Sequence, residues 1–273
     1  MNVLVSINRG YLRHFRVMLS SLEQNARERL AVYVLHDDLI AEDFAENKRL
    51  FPEIEFNYVE MDIELCRGFP TVKRYPFTVY YRIFAPLILP KTVDRILYLD
   101  CDLVLHNCID GFYNTDFEGN LFVACSNTGA FLNAFNRVRL GVRRDYVYMN
   151  TGVLLMNVAM LRDAIDVNAI REYTIRHKAI LALYDQDILC RFFGNRVKKA
   201  DKLVYNLSDR HYRLQNLFHA KRIDEKWVEE NNVIAHYIGK NKPWKKGYKG
   251  VLGKYYHSFA KRLDSASGTK GEV

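Results

Sequence analysis

The 273-residue chain predicts an α/β fold, with a mostly parallel sheet and helices on both of its faces. Two patterns and the composition carry that expectation. Through the first hundred residues, short apolar runs alternate with segments whose apolar residues recur every three or four positions. The runs are rich in Val, Ile and Leu, as strands buried on both faces are. With 49% hydrophobic and 26% charged residues, the chain can build a core for one large domain, or one domain with an appendage, and is not disordered overall.

The elements follow in order. Residues 3–7 (VLVSI) read as the first strand. Tyr11, Leu12, Phe15, Met18, Leu19 and Leu22 then keep helical spacing, which predicts a helix over 11–25. Residues 31–37 give a second strand, 40–50 a more polar helix and 56–62 a third strand. Residues 66–76 are loop-like, and 79–89 form a helix ending at Pro90. The most apolar run, RILYLDCDLVL (95–105), is the fourth strand. Further on, 121–125 and 152–158 read as strands, 161–177 and 186–193 as helices, and 202–205 and 232–236 as short strands. Sheets of this kind bind ligands at the carboxyl ends of their strands.

Several classes are excluded at this level. No apolar run approaches the ~18 residues of a spanning helix, and Met1 leads into NVLVSI without a basic segment and long apolar core, which is not a secretory signal. The five cysteines (66, 101, 108, 125 and 190) show no paired spacing, which points to a reducing, cytoplasmic setting rather than a disulfide framework. The net charge of +8 suggests nucleic acid only until it is located. Nine Lys/Arg against two Asp/Glu lie beyond residue 235, and the rest is 31 against 30. A neutral body with a basic end is not a nucleic-acid reading face. The division expected is therefore a catalytic domain over 1–244 and a basic, aromatic tail over 245–273.

Two segments carry chemistry. Asp100 and Asp102 follow the strongest strand, and in extended chain positions i and i+2 face the same way, so both carboxylates can meet one hard divalent cation. Ordinary strand-end aspartates are the plain alternative. The second segment is His236-Tyr237-Ile238-Gly239-Lys240-Asn241-Lys242-Pro243-Trp244. His236 ends an apolar run, where a buried core histidine is the plain reading. The glycine and lysine that follow suit the wrapping of phosphate oxygens. An imidazole added to two carboxylates favours Mn²⁺ over Ca²⁺ or Mg²⁺.

Six blocks in order, NVLVSINRGY (2–11), YRIFAPLILP (81–90), RILYLDCDLVL (95–105), YMNTGVLLMNV (148–158), YDQDIL (184–189) and HYIGKNKPW (236–244), make the chain resemble the family 8 retaining glycosyltransferases. It resembles in particular the bacterial lipopolysaccharide galactosyl- and glucosyltransferases. The resemblance implies a Rossmann-like, single-domain fold of the GT-A type and transfer of galactose or glucose from a UDP-sugar. It implies Asp100, Asp102 and His236 as ligands of Mn²⁺, with Mg²⁺ an alternative. It also implies Ser6, Asn8 and Tyr11 at the uridine and ribose, with the acidic partner left open between Asp37 and Asp38. Gly239 and Lys242 then contact the pyrophosphate, and Arg82, Asn150, Asp185 and Gln186 surround the donor sugar.

The leaving diphosphate gathers negative charge, which a divalent cation and Lys242 would stabilise. Retention allows a carboxylate nucleophile, for which Asp185 is the best candidate, or attack from the leaving-group face with a phosphate oxygen as base. Gln186, an amide, suits orientation of the sugar or stabilisation of charge. The same-face route is the one expected here. Two other classes compete. DCDLV also fits the haloacid dehalogenase phosphatases, but there the motif lies on the first strand with an acidic pair downstream. The other is a non-catalytic sugar- or membrane-binding protein. The expected acceptor is the hydroxyl of a glycan or glycolipid. In the tail, Leu252, Tyr255, Tyr256 and Phe259 keep helical spacing among lysines, the composition of a helix lying on an anionic inner membrane face. A solvated end or a helix packed back on the body would have the same pattern.

Overall fold

The sheet grows outward from β1 (Asn2–Ser6), whose Val3, Leu4 and Val5 are fully buried. The computed structural model describes residues 1–71, 76–142 and 145–268. After β1 come α1 (Leu12–Asn25), β2 (Ala31–His36), α2 (Ala41–Leu50), β3 (Glu55–Glu60), α3 (Thr78–Ile88), β4 (Arg95–Leu99) and β5 (Leu103–Leu105). The chain continues through α4 (Asp110–Tyr113), β6 (Phe122–Cys125), α5 (Ala130–Leu140), β7 (Val153–Asn157), α6 (Val158–Ala164), α7 (Val167–Arg176) and α8 (Tyr184–Phe193). It ends with β8 (Val197–Ala200), α9 (Lys202–Tyr205), α10 (Asp209–Phe218), α11 (Glu225–Asn231), β9 (Ile234–His236) and α12 (Gly253–Ser267).

The strand order is β3-β2-β1-β4-β7-β6-β8. β7 is antiparallel to both its neighbours and every other pairing is parallel, so six of the seven strands run one way. The expected α/β class with a mostly parallel sheet therefore holds. Alternate residues divide between two cores. Val3, Val5, Leu97 and Leu99 face one side with α1, while Leu4, Ile96 and Tyr98 face the other with α3 and α8. The order reverses between β1 and β4, the switch point where such sheets open a cleft.

Four expectations need correction. The run 95–105 is two strands, not one. The chain bends at Asp100–Asp102, and β5 leaves the main sheet to pair antiparallel with β9, with Leu103 opposite His236. Residues 202–205 form a helical turn because the Asp201 carboxylate accepts the Leu203 N–H and starts one. The helix expected over 161–177 is two. Asp166 accepts the Ala169 N–H and starts α7 afresh after α6. The loop over 66–76 begins with the last residue of a 3₁₀ turn, Ile63–Cys66, and residues 72–75 lie outside the described residues.

The fourth correction concerns the tail. Leu252, Tyr256, Phe259 and Leu263 are buried in the core that contains α1. Arg13 of α1 holds Asp264 with two hydrogen bonds of 2.8 and 3.1 Å, and Tyr255 stacks on His106 at 4.1 Å between ring centroids. An aromatic face expected to lie on a membrane is thus packed on the body; residues 269–273 lie outside the described residues. Among the described residues no helix is long and apolar enough to cross a membrane.

Candidate active site

All twelve positions singled out in the sequence line one cleft of about 300 Å³ at the carboxyl ends of β1 and β4. β1 delivers Ser6, Asn8 and Tyr11, and β4 delivers Asp100 and Asp102. Because β7 runs the opposite way, its amino end brings Asn150 alongside them. The β5–β9 pairing carries His236 to Asp102 across 134 positions of sequence, with Nε2 3.1 Å from Oδ1. Gly239 has φ of 99°, a turn that favours glycine and leads Lys242 back to the same carboxylate. Trp244 then anchors the segment, stacking on His14 of α1 at 3.7 Å and lying 5.1 Å from the Tyr256 ring.

Ligand atoms of Asp100, Asp102 and His236 lie within 4.8 Å of one another, near enough to share one ion. The hydrogen bonds around them prepare the set. Arg82 and the Tyr98 hydroxyl both donate to Asp100 Oδ1, at 3.0 and 2.9 Å, which leaves Oδ2 turned to His236 Nε2 at 3.8 Å. The histidine tautomer follows from an unambiguous donor. The Gly152 N–H donates to Asn150 Oδ1 at 3.1 Å, so Asn150 accepts through that oxygen. Asn206 Nδ2 donates to the same oxygen at 2.8 Å, which turns its own Oδ1 towards His236 Nδ1, also at 2.8 Å. That contact places a proton on Nδ1 and makes Nε2 the ring nitrogen that faces the two carboxylates. Two carboxylates and one imidazole nitrogen turned to a common point are a ligand set that fits a divalent cation.

The electrostatics divide the cleft. Burial opposes charge on Asp102, but Lys242 and His236 outweigh it and hold the carboxyl well below the usual range. Lys242 donates to Asp102 Oδ2 and to the Tyr237 carbonyl. Burial pushes Asp185 the other way, up to about 6, although Arg82 lies 3.5 Å away and Thr151 donates to it at 2.9 Å. Arg82 is 6% exposed with its charge set over the Tyr98 ring at 4.2 Å, so it is no surface cation. Gln186 lines the cleft one residue beyond Asp185. Tyr184, at φ 25°, lets α8 start abruptly and aim Asp185 inward.

Some neighbours were not foreseen. Asn206 carries the imidazole, and Gly152 leaves it room, since a Cβ there would run into His236 Cε1 and Asp100 Oδ2. Asp187, in the same YDQDIL block as Asp185, is fully buried and serves structure. It accepts from Arg139, Tyr148 and the Ala182 and Leu183 N–H groups, which locks α5 to the start of α8. The local signal for Gly152 was the tripeptide Asn-Thr-Gly; Asn206 had none. The open choice between Asp37 and Asp38 divides by partner. Asp37 accepts from the Tyr81 hydroxyl at 2.9 Å and Asp38 from the Arg9 N–H at 2.7 Å.

Residues 2–247 match the family model for glycosyl transferase family 8. The chain is 25% identical to glycosyltransferase GlyF of Streptococcus pneumoniae, with 89% of this chain and 57% of that protein aligned. It is also 25% identical to the lipopolysaccharide 1,3-galactosyltransferase of Salmonella typhimurium, over 89% and 72%. The chain thus spans little more than half the length of the first of these relatives. Among solved structures, the galactosyltransferase LgtC in complex with donor and acceptor sugar analogues superimposes with a TM-score of 0.82, covering 100% of this chain and 98% of that one at 21% identity. That likeness is one of fold, and it agrees with the GT-A architecture. With the family model covering nearly all of the folded body, the chain belongs to glycosyl transferase family 8.

Proposed function

We propose that the protein is a retaining hexosyltransferase that moves galactose or glucose from a UDP-sugar, with Mn²⁺, to a hydroxyl of a glycan or glycolipid. The observation that carries this reading is the convergence of all twelve positions on one cleft around the Asp100–Asp102–His236 set. The names of two relatives, a lipopolysaccharide 1,3-galactosyltransferase and a lipopolysaccharide 1,2-glucosyltransferase, support those two sugars. The unpaired state of all five cysteines supports a cytoplasmic setting. The phosphatase reading is not favoured, because the Asp-x-Asp motif follows the fourth strand rather than the first.

In this reading Asp100, Asp102 and His236 hold the ion, which when bound supplies positive charge to the departing diphosphate. Lys242 adds a second charge there, and Ser6, Asn8 and Tyr11 seat the nucleoside. Gly239 lets the loop approach the phosphates. Asp185 is assigned a positioning part. Its carboxylate accepts from Thr151 and pairs with Arg82, so its oxygens are engaged in holding neighbours rather than free to attack. Same-face attack, in which the departing phosphate takes the acceptor proton, follows from that. Gln186 and Asn150 then present amides to the sugar.

The deciding experiment is a panel of nucleotide sugars hydrolysed without acceptor, with Mn²⁺ and with chelator. Turnover of UDP-galactose or UDP-glucose that needs the ion and is abolished in Asp100→Asn and Asp102→Asn is expected. Preference for a GDP-sugar, or full activity of those variants, would overturn the assignment.

A further inference from the structure

The segment 237–244, which carries Gly239 and Lys242, is tied down at both ends against α12 and α1. At its start, the Tyr237 hydroxyl donates to the carbonyl of Leu252, the residue before α12, at 3.0 Å. The Tyr237 ring also stands edge-on to Tyr256 at 5.8 Å. At its end, Trp244 stacks on His14 with 21° between the ring planes, and His14 Nδ1 lies 2.8 Å from the Tyr256 hydroxyl. Burial lowers the His14 pKa to about 4, so the ring meets Trp244 uncharged at neutral pH. Between the two anchors Ile238, Lys240 and Asn241 are exposed, whereas Lys242 is buried. Lys242 donates to the carbonyl of Tyr237, the first anchor, and its ammonium lies 5.7 Å from the ring of Trp244, the second. Neither His14 nor Tyr256 lines the donor cleft, so any part they take in donor binding runs through the residues they hold.

We propose that His14 and Tyr256 are positioning residues for the diphosphate: together they fix Trp244, and through it they hold the Lys242 ammonium where the pyrophosphate lies. The proposal rests on the hexosyltransferase reading, in which Lys242 meets that group, and it gives α12 a part in donor binding. Gly239, with φ of 99°, permits the turn into the cleft but does not hold the chain beyond it. A lysine also loses much rotamer freedom when it is fixed on a phosphate. Anchoring the segment before the ligand arrives lowers that cost, which is what pre-organisation contributes to affinity. His14 lies one turn of chain beyond Tyr11, with the two rings 5.5 Å apart, so the stretch that seats the nucleoside also sets the phosphate-binding segment. Arg13, between them, bonds to Asp264 and fixes α12 against that stretch.

The test is a double-mutant cycle read by equilibrium dialysis of UDP and of uridine against the Mn²⁺-loaded protein. His14→Leu removes the ring that faces Trp244. It should weaken UDP about tenfold, the scale of one hydrogen bond to a charged group, and leave uridine within about twofold of the wild type. In a Lys242→Ala background the same change should cost UDP nothing further, because the group it positions is gone. His14→Phe restores an aromatic face to Trp244 and should recover most of the loss. Equal losses for UDP and uridine, or a His14→Leu penalty that persists undiminished without Lys242, would overturn the proposal. Should His14→Leu not fold, Tyr256→Phe, which removes a single hydroxyl, carries the same cycle at smaller amplitude. If the wild type binds no UDP, the donor reading fails on its own, and amide hydrogen exchange of the metal-free protein decides the anchoring. Faster exchange over 238–244 in either variant, with β1 unchanged, supports it, and an unchanged segment refutes it.

Discussion

Replacing Asn206 by leucine tests the pre-set histidine. The change is nearly isosteric, so the effect expected is electronic rather than steric. In the wild type the Asn206 oxygen accepts the Nδ1 proton at 2.8 Å, in a site where His236 is only 2% exposed. Without that acceptor a buried N–H is left unpaired, at about 1–3 kcal/mol. The proton then moves to Nε2, where Asp102 Oδ1 waits at 3.1 Å to accept it. An ion must now displace that proton and reorient the ring. Loss of such a partner lowers metal affinity by roughly 10- to 100-fold, or about 1.4–2.7 kcal/mol. Calorimetric titration of Mn²⁺ into chelator-treated protein measures it. Asn206→Asp is the comparison: its carboxylate still accepts from Nδ1 but loses the bond to Asn150 Oδ1, so it should retain more affinity than Asn206→Leu and less than the wild type. Wild-type affinity in a folded Asn206→Leu protein, or equal loss in both variants, would refute the tautomer argument.

Three further outcomes follow from the same structure. The Asp185 carboxyl, raised from 3.8 to about 6 by burial, stabilises the metal-free fold below its unfolded pKa and loses that contribution as pH rises through 6. Relative to Asp185→Asn, the wild type should therefore lose about 2 kcal/mol between pH 4 and 7, and parallel urea-unfolding stabilities at the two pH values would contradict it. Gly152→Ala should lower Mn²⁺ affinity at least as much as Asn206→Leu and destabilise the fold by about 1–3 kcal/mol, because the new methyl meets His236 and Asp100; unchanged calorimetric and thermal profiles would remove the glycine from the argument. Truncation after Trp244 exposes the partners of Leu252, Tyr256, Phe259 and Leu263. At about 1.5–3 kcal/mol each, that approaches the stability of a whole domain, so the truncated chain should be insoluble or molten by near-ultraviolet circular dichroism. A cooperative fold with intact UDP-sugar hydrolysis would show the tail to be dispensable.

The sequence by itself determined what local order and short spacing control. VLVSI became β1 because a buried parallel strand needs only a short apolar run, and Asp100 and Asp102 reached one cleft because they are two residues apart at a strand end. The six ordered blocks named every position that lines the cleft and was singled out, His236 and Lys242 included. Their convergence, by contrast, belongs to the tertiary structure. His236 reaches Asp102 through the β5–β9 pairing, which the unbroken apolar pattern of 95–105 concealed, since apolar periodicity does not register a bend at Cys101. Asn206 acts through a chain of hydrogen bonds running from Gly152 by way of Asn150, and no local pattern records such a chain. The tail shows the same limit. Helical spacing of Leu252, Tyr255, Tyr256 and Phe259 makes an apolar face, but the face alone does not say whether lipid or protein covers it. Here α1 covers it, because burying those side chains on the body removes them from water as fully as a membrane would. On α5 and α10, Phe131, Phe135 and Phe218 stay exposed among the described residues, and only the fold set these two helices opposite each other beside the Asp100–Asp102–His236 cleft.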